Sequence, residues 1–485
     1  MIDVLARRRA GVLLHVTSLP GRGSIGTLGA NAYRFVDFLY AGGFTVWQTL
    51  PLGPVDAYGS PYCLQSTQAG DTRLIDWEGL RRLPDLPRTF ARNGAAGPPA
   101  EVYREFAAVA SRRERAAFAA FLRANRAWLW PYGLFRAREA QFGGEPWWRW
   151  PVELRHAERG ALARGWSELK DAFRGTCLLQ YLFDLEWAAL KRYANSRGVY
   201  LFGDLPFYVD LNSVEVWWNR RLFRVSADGV PDGVAGVPPD YFNADGQRWG
   251  NPLYDWDEMR RHGFAWWVKR IAGQHKRFDV LRIDHFRALE SYWEIPAAAL
   301  TAREGRWRKG SGEEVLTRVR EALGALPLVA EDLGVITDEV RALRDRHGLP
   351  GMAVLQFAFD GSPDNPHLPQ NVPRRAVAYT GTHDNDTTVG WYTKLAPATR
   401  ELVKSYLGAE RAEAPYTLLD AVYASRADLV VAPMQDLLGL DSSARMNTPG
   451  TTKGNWRWRL RWADVPAGLA DQCYERAARY ARLVS

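Results

Sequence analysis

Residues 279 to 285 read Asp279-Val280-Leu281-Arg282-Ile283-Asp284-His285, a short apolar run that ends in charged and polar side chains. Runs of this kind, rich in Val, Leu and Ile, mark strands buried on both faces of a parallel sheet. Seven more follow the pattern: Val12 to Val16, Thr45 to Leu50, Val199 to Leu205, Leu326 to Ala330, Met352 to Phe357, Ala376 to Tyr379 and Leu429 to Ala432. Between most of them apolar positions recur at helical spacing, as at Leu178, Leu182, Leu185 and Ala189. Eight strands alternating with helices predict an α/β chain closed into a (β/α)8 TIM barrel.

The intervals between strands are uneven. Residues 1–54 hold the first two barrel strands, and 55–198 are far too long for a simple crossover. Amphipathic segments such as Arg115 to Trp128 and Leu178 to Tyr193 make that interval a mostly helical inserted subdomain. Residues 199–485 then complete the barrel. Within them Ala227 to Tyr254, dense in Gly, Pro, Asp and Asn, is expected to form a long active-site loop over the C-terminal face.

Composition narrows the function. In 485 residues, 47% hydrophobic and 24% charged, no window approaches the roughly 18 apolar residues of a membrane span. The start, with Arg7-Arg8-Arg9 before an apolar run interrupted by His15, lacks a cleavage site and reads as the first strand, not a leader. Three widely spaced cysteines, Cys63, Cys177 and Cys473, offer no disulfide framework and fit a reducing cytoplasm. A net charge of +8 is spread among acidic residues, as from Arg112 to Arg115, so nucleic acid and membrane surfaces are not expected partners.

In barrels the active site forms at the carboxyl ends of the strands. Here Gly203-Asp204-Leu205-Pro206, Arg282-Ile283-Asp284-His285, Ala330-Glu331-Asp332 and Thr382-His383-Asp384-Asn385 all follow apolar runs. Any one such Asp is by itself more simply the N-cap of the next helix. Several carboxylates on one face, with Arg282 and His383 beside them, go beyond what caps require and suit paired acid and base roles. Aromatics in the irregular segments, Tyr58, Tyr62, Tyr241, Phe242, Trp249, Tyr254 and Trp391, present flat faces that suit sugar stacking, although most of the 61 Trp, Tyr and Phe must be core. The alternation Trp456-Arg457-Trp458-Arg459-Leu460-Arg461-Trp462 reads as a strand or extended edge with Trp inward and Arg in water. No metal-binding or phosphate-loop motif occurs, so no cofactor is expected, and His156 and His347 read as surface or helix-end residues.

Longer strings identify a family. Thr17-Ser18-Leu19-Pro20-Gly21, Trp47-Gln48-Thr49-Leu50-Pro51-Leu52-Gly53-Pro54, Ser60-Pro61-Tyr62, Pro238-Pro239-Asp240-Tyr241-Phe242, Gly246-Gln247-Arg248-Trp249-Gly250-Asn251-Pro252-Leu253-Tyr254, Arg282-Ile283-Asp284-His285-Phe286-Arg287, Ala330-Glu331-Asp332-Leu333-Gly334, Gly381-Thr382-His383-Asp384-Asn385-Asp386-Thr387 and Arg445-Met446-Asn447-Thr448-Pro449-Gly450 run almost the length of the chain. Together they resemble the 4-α-glucanotransferases (amylomaltases, or disproportionating enzymes) of the glycoside hydrolase family 77 type, within the α-amylase-like barrels. The resemblance implies Asp284 as nucleophile, Glu331 as general acid/base and Asp384 as the carboxylate that holds sugar hydroxyls. It implies that Arg282 keeps the nucleophile ionised and that His285 and His383 contact the transferred glucose. Asp204 would support the site, Asp240 and Trp249 would lie on a loop over the glucan, and Tyr62 would contact substrate. The chain departs from the family pattern at Asp56-Ala57-Tyr58-Gly59, where the resemblance implies donor or remote glucan contacts, and at Ala288 and Asp71-Thr72, neither of which touches the three carboxylates.

The expected substrates are then maltooligosaccharides and other α-1,4-glucans, with glucose as an acceptor. Retaining cleavage calls for two carboxyl groups about 5 to 5.5 Å apart, one attacking and one protonating the leaving oxygen. The carboxylates serve a hydrolase and a transferase alike, so an α-amylase-type hydrolase stands as the near alternative and a non-catalytic glucan-binding protein as the distant one.

Overall fold

The computed structural model describes residues 4–484 apart from 22, 57, 83–96, 240–243 and 409–414. Twelve strands form among them: β1 (Arg9–Leu13), β2 (Val46–Gln48), β3 (Tyr200–Leu205), β4 (Gly233–Val237), β5 (Gln247–Pro252), β6 (Val280–Ile283), β7 (Ser291–Pro296), β8 (Arg306–Lys309), β9 (Leu328–Ala330), β10 (Gly351–Val354), β11 (Ala376–Tyr379) and β12 (Leu429–Pro433). All eight runs anticipated from the sequence are strands, joined in one parallel sheet in the order β10-β11-β12-β1-β2-β3-β6-β9. The two edges meet where the Ala330 N–H donates to the Pro350 carbonyl at 2.8 Å, curling the sheet into a barrel.

Some boundaries shift for local reasons. β1 starts at Arg9 because that side chain is buried with its guanidinium over the Tyr200 ring, while Val16 enters a 3-10 turn. β10 stops at Val354, where its register with β11 ends at Tyr379. Gly11 permits the close approach of β1 to β2, since a Cβ there would lie 2.8 Å from the Val46 Cβ.

Phe202, Val280, Val329, Met352, Val377, Leu429 and Val431 fill the barrel interior. Side chains alternate across a strand, so counting by twos from Phe202, Val280 and Val329 brings Asp204, Arg282, Asp284 and Glu331 onto the same inward rows. That parity positions the site.

Between β2 and β3 the main helices are Pro99–Val109, Arg112–Ala124, Arg126–Gln141 and the 31-residue Trp166–Ser196. Ser111 and Glu114 cap the second of these reciprocally. The stretch from Ala227 to Tyr254, expected as one long loop, instead carries β4 and β5. With β7 and β8 they make an antiparallel sheet in the order β5-β4-β7-β8. Its glycines belong partly to the ladder: a Cβ on Gly236 would meet the Gln247 carbonyl oxygen at 2.1 Å. The Trp456 to Trp462 stretch joins neither sheet. Trp456, Trp458 and Trp462 are half-buried and Arg457 and Arg461 exposed, as the alternation implied, but Arg459 turns inward onto the Leu19 carbonyl at 3.0 Å. His156 and His347 do stand at helix C-termini. No helix of the described residues is long and apolar enough to cross a membrane.

Candidate active site

The inward residues at the ends of β3, β6 and β9 meet at one rim of the barrel. Arg282 Nη1 donates to both oxygens of Asp204, at 2.8 and 2.7 Å, and lies 2.9 Å from Asp284 Oδ1. Glu331 is held by two backbone donors, the His285 N–H at 2.7 Å and the Leu333 N–H at 3.1 Å. The first of these belongs to the residue next to Asp284, so the two carboxyl groups converge from adjacent strands. His285 accommodates this with a left-handed backbone, φ +48°.

Tyr62 and His383 carry the network across to Asp384. The Tyr62 hydroxyl donates to Asp204 Oδ2 at 2.7 Å and lies 2.8 Å from His383 Nε2. Because the phenol proton is committed to Asp204, the imidazole must be the donor in the second contact, which puts its proton on Nε2. That nitrogen also faces Asp384 Oδ2 at 3.3 Å. The other Asp384 oxygen accepts from Asn447 Nδ2 at 2.6 Å. Beside His383 a small cleft is lined by His15, Thr382, Asp386 and Arg445 among others.

Burial governs the protonation states. It pushes the Asp284 carboxyl up to about 8 and that of Glu331 above the usual range; Arg282 opposes the rise at both, and at Asp284 the charges of Asp204 and then Glu331 add to it. Burial pulls His383 down and His285 to about 3, so both imidazoles are neutral. Tyr62 is raised well above the ordinary phenol range by burial and then by Asp204.

Of the residues singled out from the sequence, Tyr62, Asp204, Arg282, Asp284, Glu331, His383 and Asp384 therefore form one cluster with His285. The indole of Trp249, 39% exposed, stands edge-on to the His285 ring at 4.8 Å. Asp240, Tyr241 and Phe242 lie outside the described residues. Tyr254 is core, its hydroxyl bonded to the Phe207 carbonyl at 2.5 Å, and Trp391 packs on Phe359. Tyr58 is exposed.

Two residues in the site had no role assigned from the sequence. Asn447 holds the Asp384 carboxylate, and Arg445 Nη2 donates to the Asp384 carbonyl at 2.7 Å while its Nε donates to the Asn447 carbonyl at 2.7 Å. Their Arg-Met-Asn-Thr-Pro-Gly string was the available signal, but it follows a 3-10 turn and not a strand, so the strand-end rule passes over it. Among the described residues no group of three His, Cys, Asp or Glu side chains is arranged to hold a metal ion.

The chain is similar to known proteins along almost its whole length. A 4-alpha-glucanotransferase from Thermus thermophilus is 47% identical over 473 residues, covering 93% of this chain and 95% of the relative. One from Streptococcus pneumoniae is 40% identical, covering 99% of this chain and 98% of the relative. The structure of an amylomaltase from Streptococcus agalactiae in complex with acarbose superposes with a TM-score of 0.93 at 35% identity, covering 99% of this chain and all of that one. The family model described as 4-alpha-glucanotransferase matches residues 14–464, and the chain belongs to that family.

Proposed function

We propose that the protein transfers α-1,4-glucan segments between maltooligosaccharides by a retaining double displacement, with glucose among its acceptors. The observation that carries this reading is the contrast between two neighbouring inward carboxyls: Asp284 touches a guanidinium at 2.9 Å, whereas Glu331 touches only neutral backbone donors. We assign the negative charge of this coupled pair to Asp284, which burial pushes up to about 8 but which has the guanidinium against it, and the pair's proton to Glu331, which burial also raises.

An Asp284 oxygen attacks the anomeric carbon as the glycosidic C–O bond breaks, and Glu331 delivers its proton to the departing oxygen. This leaves a glucosyl ester on Asp284. The 4-hydroxyl of an acceptor then attacks the same carbon from the vacated side, losing its proton to Glu331 and releasing Asp284. Asp384, braced by Asn447 and His383, binds hydroxyls of the sugar undergoing transfer. Trp249 over His285 supplies an aromatic surface that favours a sugar over water as acceptor. In this reading residues 1–54 and 199–485 make the barrel and 55–198 the insertion. The three free thiols suit a cytoplasmic enzyme.

Incubation with maltotriose tests the proposal. Glucose together with a ladder of longer oligosaccharides is expected, and Asp284→Asn should abolish both while the fold persists. Glucose and maltose without longer products would replace transfer with hydrolysis; unchanged sugar would leave only binding.

A further inference from the structure

Trp456 belongs to neither sheet, yet it is held in a conformation a tryptophan rarely adopts, with φ +62°. A left-handed non-glycine residue persists only where its surroundings fix it, and such positions gather at functional sites. Several contacts fix this one. The Trp456 N–H donates to the Met446 carbonyl at 2.8 Å. The preceding Asn455 accepts from the Thr448 N–H at 3.0 Å and donates to the Thr451 carbonyl at 2.9 Å, closing the turn that delivers the indole.

The indole is delivered to the catalytic rim. Its ring centre lies 6.0 Å from that of Tyr62 and 5.9 Å from that of His383, and those two rings are stacked on each other at 5.2 Å. The three rings form one packed group. The polar edges of the inner two point to the carboxylates: the Tyr62 hydroxyl to Asp204, and the His383 Nε2 to Tyr62 and Asp384. A phenol or imidazole free to turn about its χ angles could not keep these contacts at once. The indole removes that freedom.

We propose that Trp456 is a positioning residue, packing against Tyr62 and His383 so that they hold Asp204 and Asp384 in the working arrangement without itself touching the reacting atoms. This rests on the glucanotransferase reading above. It also gives the Trp-Arg alternation, whose period of two reads as a strand or extended edge, a place in the chemistry.

The test is maltotriose disproportionation by wild type, Trp456→Ala, Trp456→Phe and Trp456→Gly, with kcat and KM determined separately and thermal unfolding followed in parallel. A displacement of about 1 Å in such a site costs on the order of a hundredfold, so Trp456→Ala should lose roughly ten- to a hundredfold in kcat with little change in KM. Trp456→Phe, which restores a ring, should recover most of the loss. Trp456→Gly separates packing from folding, because glycine accepts the left-handed backbone. It should unfold no earlier than the alanine variant and still be as slow. Wild-type kcat in the glycine or alanine variant would overturn the inference. So would a loss confined to KM, which would make the indole a sugar platform. A wild-type protein that leaves maltotriose unchanged would instead sink the functional reading, and this inference with it.

Discussion

Replacing Arg282 with Met removes the cation on which two carboxylates depend. Its Nη1 lies within 2.9 Å of both Asp204 and Asp284, its side chain is 5% exposed and that of Asp204 is fully buried, so water cannot take its place. Breaking a buried pair from one side costs about 3–5 kcal/mol, and that is the expected loss of folding stability at neutral pH. The loss should shrink on acidification. Carboxyls stranded in the folded state bind protons more tightly than in the unfolded chain, so folding takes up protons and the variant gains stability relative to wild type as pH falls. Activity should move in the same sense. An adjacent arginine ordinarily lowers an aspartate pKa by about 1–3 units, so without it Asp284 ionises only at higher pH. The acid limb of kcat/KM for maltotriose disproportionation should then shift upward by about 1–3 units, and turnover at neutral pH should fall by roughly ten- to a thousandfold. Arg282→Lys, able to reach one carboxylate well but not both, should fall between. A folded Arg282→Met enzyme whose acid limb stays in place would show that the guanidinium does not keep the nucleophile ionised, and the assignment of charge to Asp284 would fail with it.

Other perturbations separate the remaining roles. Glu331→Gln removes the transferable proton, so maltotriose should cease to turn over, while a glucosyl donor whose leaving group needs no proton should still load the enzyme in a measurable burst. Asn447→Ala deletes the 2.6 Å donor to Asp384. Hydrogen bonds to charged groups contribute about 1.5–3 kcal/mol, and since the Asp384 side chain is 44% exposed the lower end applies, predicting about a tenfold fall in kcat/KM with unchanged melting. Glu186, buried in the helix Trp166–Ser196 and accepting from the Asp76 N–H at 3.0 Å, is pushed up to about 9 by burial. Its folded pKa exceeds the unfolded value, so stability is lost as pH rises between the two, on the order of 3 kcal/mol by pH 7. Glu186→Gln should therefore raise the denaturant midpoint at pH 7 and flatten its dependence on pH; an unchanged midpoint would count against a protonated Glu186.

The barrel was legible in the sequence because parallel strands buried on both faces leave continuous apolar runs, and the three carboxylates were legible because they stand directly after such runs. The antiparallel sheet left no comparable trace. All four residues of β8, Arg306-Trp307-Arg308-Lys309, are exposed, β4 is interrupted by Gly236, and β4 pairs with β7 across more than forty intervening residues. Neither alternation nor a short hairpin turn betrays such strands. Asn447 and Arg445 escaped for a related reason. Their partner is Asp384, some sixty residues away, and they reach it from irregular backbone where no periodicity says which way a side chain points.

The direction of each hydrogen bond at the rim bears on the charge that the site presents to a substrate. Arg282 donates to Asp204 and Asp284, Tyr62 donates to Asp204, and Nε2 of a neutral His383 donates to Tyr62, with Asp384 on its other flank. Every donor in this hydrogen-bond chain is thus matched to an acceptor, and none of Asp204, Asp284 and Asp384 has to supply a proton to it. On the proposed protonation of Glu331, three carboxylates stand against one guanidinium and leave the site with an excess of two negative charges. The transition state of glycosyl transfer carries positive charge at the anomeric carbon, so a fixed negative field lowers its energy more than that of the neutral sugar. Burial keeps His285 neutral, and His383 too against the pull of Asp384, so neither imidazole adds a positive charge at the rim to cancel part of that stabilisation.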